Sequence, residues 1–214
     1  FIGVKCHYEM SRHYCTECLA AAFCNDPYDW DGPKEPVVMA CEADSDAALT
    51  MQILHLLSDD PVIFMDVRHY DKDEDVMVFC NCGSQSTWYA GRSDDPAENL
   101  KNVTLYPCLS IYAGGGAHVN CMTKAGKATI ARLNRTEDKY RMTIIPAEFV
   151  ELDREKMKET TEEWPHVFAK LPMDHKIFLD RFDANHCHAI YGDWTQELEM
   201  ICRMLNIDVE RLAK

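Results

Sequence analysis

The run VVMACEADSDAALTMQ, residues 37–52, decides how this chain is to be read. Val37 to Ala40 are apolar, as a buried strand requires, and close behind them stand the acids Glu42, Asp44 and Asp46. Acids at a helix start accept hydrogen bonds from its first unpaired backbone N–H groups. One acid is enough for that. From 44 to 57 apolar residues recur at helical spacing, with Leu49, Ile53, Leu56 and Leu57 on one face. The stretch is read as a strand over 37–41 running into a helix over 44–57. Glu42 then closes a strand at the mouth of a helix, where open α/β sheets present ligand-binding groups.

Working outward, residues 11–24 read as a helix stopped by Asn25-Asp26-Pro27, and DPYDWDGPKEP is a turn-rich connection. After Ser58-Asp59-Asp60-Pro61 the pattern changes. VIFMDV and VMVFC read as apolar strands joined by RHYDKDED, and HVNCMT, KATIARL and YRMTIIPAEFVEL as a meander, so the middle of the chain is mostly antiparallel β. DREKMKETTEEW reads as a solvated helix or loop. The end is mixed: a helix in HKIFLDRF, a strand in HCHAIY, and a helix opened by a capping box of Asp193 and Gln196, with Leu198, Ile201, Cys202 and Leu205 facing the core. The fold class is α/β plus mostly antiparallel β.

The chain has 214 residues, 47% of them hydrophobic, enough for a real core. It has no apolar run of about eighteen residues and no signal-like start, which points to a cytoplasmic protein without a membrane partner. A net charge of -14 disfavours nucleic acid. The first residue is Phe1 and not an initiator Met, so the sequence is expected to be a piece of a longer polypeptide. Eleven cysteines, an odd number in a chain of this length, are expected to be reduced. Cys15-x-x-Cys18 has metal or redox spacing, but without a second such pair core thiols are the favoured reading.

Three residues are chemically odd for their settings. Asp66 places a carboxylate inside an apolar strand, which is costly unless it is paired or ligated. His186 opens the strand HCHAIY, and Glu42 sits at the strand end. The structural alternatives are an N-cap for Glu42, an edge-strand pair with Arg68 for Asp66, and a backbone partner for His186. Brought together, they would make a hard, oxygen-rich site suited to Mn²⁺ or Mg²⁺.

WDGPKEPVVMACEADSDAALTM, FMDVRHY, NCGSQS, IYAGGG and DANHCHAIYGD, in this order, resemble the C-terminal part of the L-fucose isomerase family. The resemblance implies a metal-dependent aldose-ketose isomerase working through an enediol. Its metal, Mn²⁺ or another divalent cation, would be held by Glu42, Asp66 and His186, with Glu42 and Asp66 also catalytic. It implies sugar contacts from Asn185, Tyr112 and Ser84. It further implies a Rossmann-like tail over 1–57, a β-barrel-like domain with flanking helices over 58–214, and a homo-oligomer, as a hexamer in this family, whose other parts complete the pocket, so that these residues alone would be inactive. His188 shares a strand face with His186, but the motif gives it no ligand role. Two positions depart from the pattern: His7 replaces a Gln, and Phe182 stands where an indole wall is expected, which leaves the sugar open. The alternatives are a sugar-binding or regulatory paralogue without turnover, and a zinc interaction module around Cys15, Cys18 and Cys24.

Overall fold

Apolar residues alternate with polar ones through 126–135 and 140–150, and these two segments pair over ten residues into a long hairpin within the main sheet. The computed structural model describes residues 1–6, 10–108 and 113–213. In chain order its strands are β1 (Ile2–Gly3), β2 (Tyr28–Asp29), β3 (Gly32–Pro33), β4 (Met39–Ala40), β5 (Ile63–Asp71), β6 (Val76–Cys80), β7 (Thr104–Pro107), β8 (Ala117–Asn120), β9 (Gly126–Arg135), β10 (Tyr140–Val150), β11 (His166–Lys170), β12 (His186–Tyr191) and β13 (Asp208–Arg211). Its α-helices are α1 (Ser11–His13), α2 (Cys18–Asn25), α3 (Ser45–Ser58), α4 (Pro96–Leu100), α5 (His175–Arg181) and α6 (Thr195–Met204).

Seven strands make one large mixed sheet in the order β11-β6-β5-β12-β9-β10-β13. Its neighbours are antiparallel except β10 and β13, which run parallel. The sheet is not a closed barrel, and the barrel-like arrangement expected goes no further than a short pairing of β11 with β10. One edge of β10 is taken by β9 along its length, and the other is shared: β13 occupies Arg141 to Ile144, while only Glu148 to Val150 reach β11. The Rossmann-like tail is also not assembled. β1 and β4 pair in parallel over two residues each, with no larger parallel sheet among the described residues.

α3 forms where expected, with Asp44 as its N-cap accepting from the Ala47 N–H at 2.8 Å. Its buried face differs from the expected one. Ala47, Ala48, Met51 and Leu54 are inside, while Leu56 is 76% exposed, and Leu49, Ile53 and Leu57 form a half-buried rim. The small alanines let the helix lie close on β9 and β12. Thr50 Oγ1 even accepts from the Leu133 N–H of β9 at 3.0 Å, beyond the last residue paired to β12.

The helix expected over 11–24 breaks into α1 and α2, because the Thr16 N–H turns away to the Gly115 carbonyl. At α6, Asp193 Oδ1 bonds Thr195, with Gln196 not involved, at 3.2 Å to its N–H and 2.7 Å to its hydroxyl. Leu198 and Cys202 of α6 are buried, whereas Leu205 is exposed.

The two faces of the sheet carry separate cores. One packs Phe64, Ala131, Leu133 and Ile190 under α3; the other gathers Ile63, Met65, Phe79, Ile130, Phe149 and Phe178. Among the described residues no helix is long and apolar enough to cross a membrane.

Candidate active site

Antiparallel pairing sets residues with facing Cα atoms on the same side of the sheet. His186 of β12 pairs with Asp66 of β5, Asp66 with Cys80 of β6, and Cys80 with His166 of β11. A transverse row of polar residues therefore crosses the middle of the sheet on the face covered by α3. Phe64, two residues before Asp66, packs its ring against His186 (centroids 4.6 Å apart) and His188 (5.1 Å).

Glu42 reaches this row from a tight corner. Cys41–Ala43 form a single 3-10 turn between β4 and α3, in which Glu42 and Ala43 have φ of 59° and 53°, a left-handed conformation unusual for side chains other than glycine. The corner is tied to the first strand by the Ala43 N–H, which donates to the Val4 carbonyl at 2.8 Å. The turn brings the Glu42 carboxylate to 3.5 Å from His186 Nε2, and Asp66 Oδ1 lies 3.3 Å from the same nitrogen. The three residues singled out in the sequence thus meet around one imidazole nitrogen.

Each has a distinct electrostatic setting. Burial pushes the Asp66 carboxyl up to about 7, against the opposing pull of Arg68 and His186. Arg68 Nη2 donates to Asp66 Oδ2 at 2.6 Å and its Nε to Cys80 Sγ at 3.2 Å, so Oδ2 is engaged and Oδ1 faces His186. Burial opposes charge on His186 too, but its bond to Asp44 and the nearby carboxylates of Glu42 and Asp66 outweigh it, and its pKa rises to about 9. The Glu42 side chain is 37% exposed and the most open of the three.

Asp44 does more than cap the helix. His186 Nδ1 donates to Asp44 Oδ2 at 2.8 Å, and Arg132 of β9 grips the same carboxylate through Nη1 at 2.9 Å and Nη2 at 3.3 Å. Burial resists this charge, but those bonds hold Asp44 well below the usual carboxylate range. His188 lies beneath, fully buried, with its Nε2 3.5 Å from Arg132 Nη1; burial and the guanidinium keep it neutral.

The remaining expected sugar contacts are not all gathered here. Asn185 Nδ2 donates to Asp66 Oδ1 at 3.3 Å and belongs to the row. Ser84 is buried in the turn after β6, its N–H bonded to Asn81 Oδ1 at 2.9 Å and its hydroxyl without a partner. Phe182 is stacked on Phe178 in the opposite core, because the end of α5 turns it inward. An indole does stand beside the row: Trp164 lies 4.9 Å under the Arg68 guanidinium. His7 and Tyr112 fall outside the described residues. Sequence reasoning missed Arg132, which in KATIARL looks like one more alternating polar residue, and Trp164.

Behind the Glu42 corner runs a row of thiols. Cys41 Sγ is 3.6 Å from both Cys6 and Cys82, and Cys82 is 3.8 Å from Cys18. Hydrogen bonds to Cys6 and Cys82, then burial, keep Cys41 protonated. No disulfide occurs among the described residues. Cys15 is exposed and Cys18 turns to Cys82, an arrangement that does not favour a zinc module with Cys24.

The donor set around His186 suits a hard divalent cation. Its Nε2 is buried without an aligned hydrogen bond, and its separations from Asp66 and Glu42 approach the edge of about 3.0 Å between neighbouring ligands of an octahedral ion bonded at 2.0–2.1 Å. As the side chains stand, no group of three or more His, Cys, Asp or Glu among the described residues is set to hold an ion. Glu42 is the most exposed of the three donors. A cleft of about 710 Å³ between Tyr70, Lys170, His175 and Arg181 contains none of these residues.

A family model described as L-fucose isomerase, C-terminal domain, matches residues 79–212. The chain belongs to the L-fucose isomerase family. A second model of the same family, its second N-terminal domain, matches residues 2–59, so Glu42 and His186 lie in different family segments with Asp66 between them. An L-fucose isomerase of Bacteroides thetaiotaomicron is 28% identical over 235 residues, covering 88% of this chain and 40% of that protein. A sulfoquinovose isomerase of Alkalicoccus urumqiensis is 25% identical over 180 residues, covering 82% and 38%. An L-fucose isomerase of Haemophilus influenzae is 28% identical over 232 residues, covering 88% and 39%. The chain thus spans about 40% of the length of the curated relatives it matches.

Proposed function

We propose that this chain is the C-terminal part of a metal-dependent aldose-ketose isomerase acting on a fucose-like, arabinose-like or related sugar. The observation that carries the reading is the meeting of Glu42, Asp66 and His186, from three separate elements, around one imidazole nitrogen. The relatives named as L-fucose and sulfoquinovose isomerases support the reaction class, and their different sugars leave the substrate of this chain to its own pocket.

Glu42, Asp66 and His186 are the proposed ligands of Mn²⁺, or of Mg²⁺ or another divalent cation. Such a cation, when bound, supplies positive charge beside two neighbouring sugar oxygens. The protein residues do the rest. Asp66, a carboxylate at the centre of the row, is the proposed group that lifts a proton from one carbon of the sugar and returns it to the next by way of an enediol. Arg68 pins Oδ2 of Asp66, while Oδ1 lies towards His186 and Asn185. Glu42, more exposed, is the second carboxylate for proton transfer. Asn185 and Ser84 are the proposed hydroxyl contacts, with His7, Tyr112 and Phe182 as further proposals from family resemblance. The proposal extends to a cytoplasmic homo-oligomer, a hexamer by family resemblance. These 214 residues alone are expected to be inactive, since they cover so little of the relatives' length.

The test is Mn²⁺-dependent isomerisation by the full-length protein across a panel of aldoses, beside Asp66→Asn. We expect one sugar to turn over, with kcat/KM lowered about 10²–10⁴-fold in the variant, the usual contribution of a general acid-base group. Unchanged turnover in Asp66→Asn sinks the assignment; absent turnover despite bound Mn²⁺ favours a non-catalytic sugar binder.

A further inference from the structure

We infer that Asp44 and Arg132 are positioning residues for His186: they fix its ring so that Nε2 points at Glu42 and Asp66. The inference rests on the reading of His186 as a metal ligand and adds to it the groups that hold that ligand in place.

A helix cap alone does not account for the geometry. A cap needs one acceptor, and Ser, Thr or Asn would supply it. Asp44 spends one oxygen on the Ala47 N–H and turns the other to His186 Nδ1 at 2.8 Å, so its carboxylate joins the start of α3 to the start of β12. Arg132 in turn is 8% exposed and well used. Besides gripping both oxygens of Asp44, it donates through Nε to Asn134 Oδ1 at 3.1 Å and approaches His188 Nε2 at 3.5 Å, leaving only one of its five N–H groups without a partner here. Asn134 passes the contact on to Asp183 at 2.8 Å. A buried guanidinium is costly unless matched, and its match is the carboxylate that touches His186.

The consequence is directional. An acceptor held on Nδ1 keeps the proton there and leaves Nε2 to face the two carboxylates. Phe64 packs against the ring, and Asp44, itself held by Arg132, fixes the direction of Nδ1. Neighbouring Asp46 provides a contrast: its carboxylate pairs outward with Arg135, whose side chain is 61% exposed.

The experiment compares Asp44→Asn, Arg132→Lys and Asp46→Asn in the full-length protein, with His186→Ala as reference. Mn²⁺ affinity is read from the electron paramagnetic resonance signal of the free ion, alongside the melting temperature. Asn at 44 can still cap α3, so it tests the His186 contact rather than the helix. We expect Asp44→Asn to weaken Mn²⁺ binding about 10–100-fold, the usual effect of losing the partner of a ligating histidine. Arg132→Lys should do so to a smaller degree, and Asp46→Asn should leave affinity unchanged while removing the same charge from the same helix turn. Mg²⁺-loaded wild type should also show a slowly exchanging Nδ1–H resonance from His186 that is lost in Asp44→Asn, a readout that a merely structural cap would not move. If His186→Ala abolishes Mn²⁺ binding and Asp44→Asn does not weaken it, the positioning role is overturned and the isomerase reading stands. If wild type binds no Mn²⁺, both fall.

Discussion

His186 and His166 stand at opposite ends of one row of facing residues, both buried and both in strands of the same sheet, yet they carry opposite charge preferences. Burial works against charge at both ends. At His186 the carboxylates of Asp44, Glu42 and Asp66 overcome it, and the pKa rises to about 9. At His166 burial wins: one bond to the Trp164 carbonyl is too little, His69 and Arg68 add positive charge, and the pKa falls to about 4. Depth in the sheet does not decide a histidine's charge here. The ionised groups within reach decide it, and the corner at Glu42 and the cap at Asp44 bring them to one end only.

The largest effect that would break this contrast is the loss of Phe64. It is 4% exposed and packs on both His186 and His188, so Phe64→Ala should destabilise the fold by about 3–5 kcal/mol in urea titration, the cost of deleting a buried aromatic ring. A loss under about 1 kcal/mol would show that the His186 end is packed by something else.

The His166 end is tested by pH. With an ordinary value of 6.5 in the unfolded chain and about 4 in the folded protein, His166 takes up a proton on unfolding anywhere between those limits. Its contribution is therefore intact above pH 6.5 and falls as pH drops towards 4, by up to about 3 kcal/mol. His188 and His118, also lowered by burial, act in the same direction. Unfolding measured at pH 7 and pH 4.5 should show the fall, with a smaller slope in His166→Asn; equal slopes would refute the assignment.

The smallest effect sharpens the contrast from the corner. Ala43→Gly relieves one left-handed residue without touching Glu42, and should raise stability by up to about 1 kcal/mol in thermal melts. A lowered melting temperature would show that the corner carries no strain there.

Much of this arrangement could be read from residue order, and the reasons are local. Asp44 before Ala47 and Ala48 is a cap signal, and apolar runs such as VIFMDV and HCHAIY mark central strands whatever they pair with. Asp66 and His186 stood out because a charge and an imidazole are expensive in such strands. That they face each other was not legible, since register between β5 and β12 is set by pairing across the intervening strands and loops. Arg132 escaped notice because alternation in a strand does not say which face α3 covers. The barrel expectation failed for a similar reason: a late parallel strand, β13, takes part of the β10 edge that closure would need. The buried face of 44–57 differs from the one its large residues mark, because Ala47 and Ala48 are small enough to let the helix sit down on the sheet.

The thiol row behind Glu42 gives the corner a clock. Alkylating reagents react with thiolates, and Cys41 is kept protonated and out of solvent by its neighbours. Exposed Cys15 should label at once, whereas Cys41 must wait for the turn that carries Glu42 to open. The labelling rate of that one cysteine, followed by mass spectrometry, therefore measures how often this part of the site comes apart while the seven-stranded sheet beneath it stays folded.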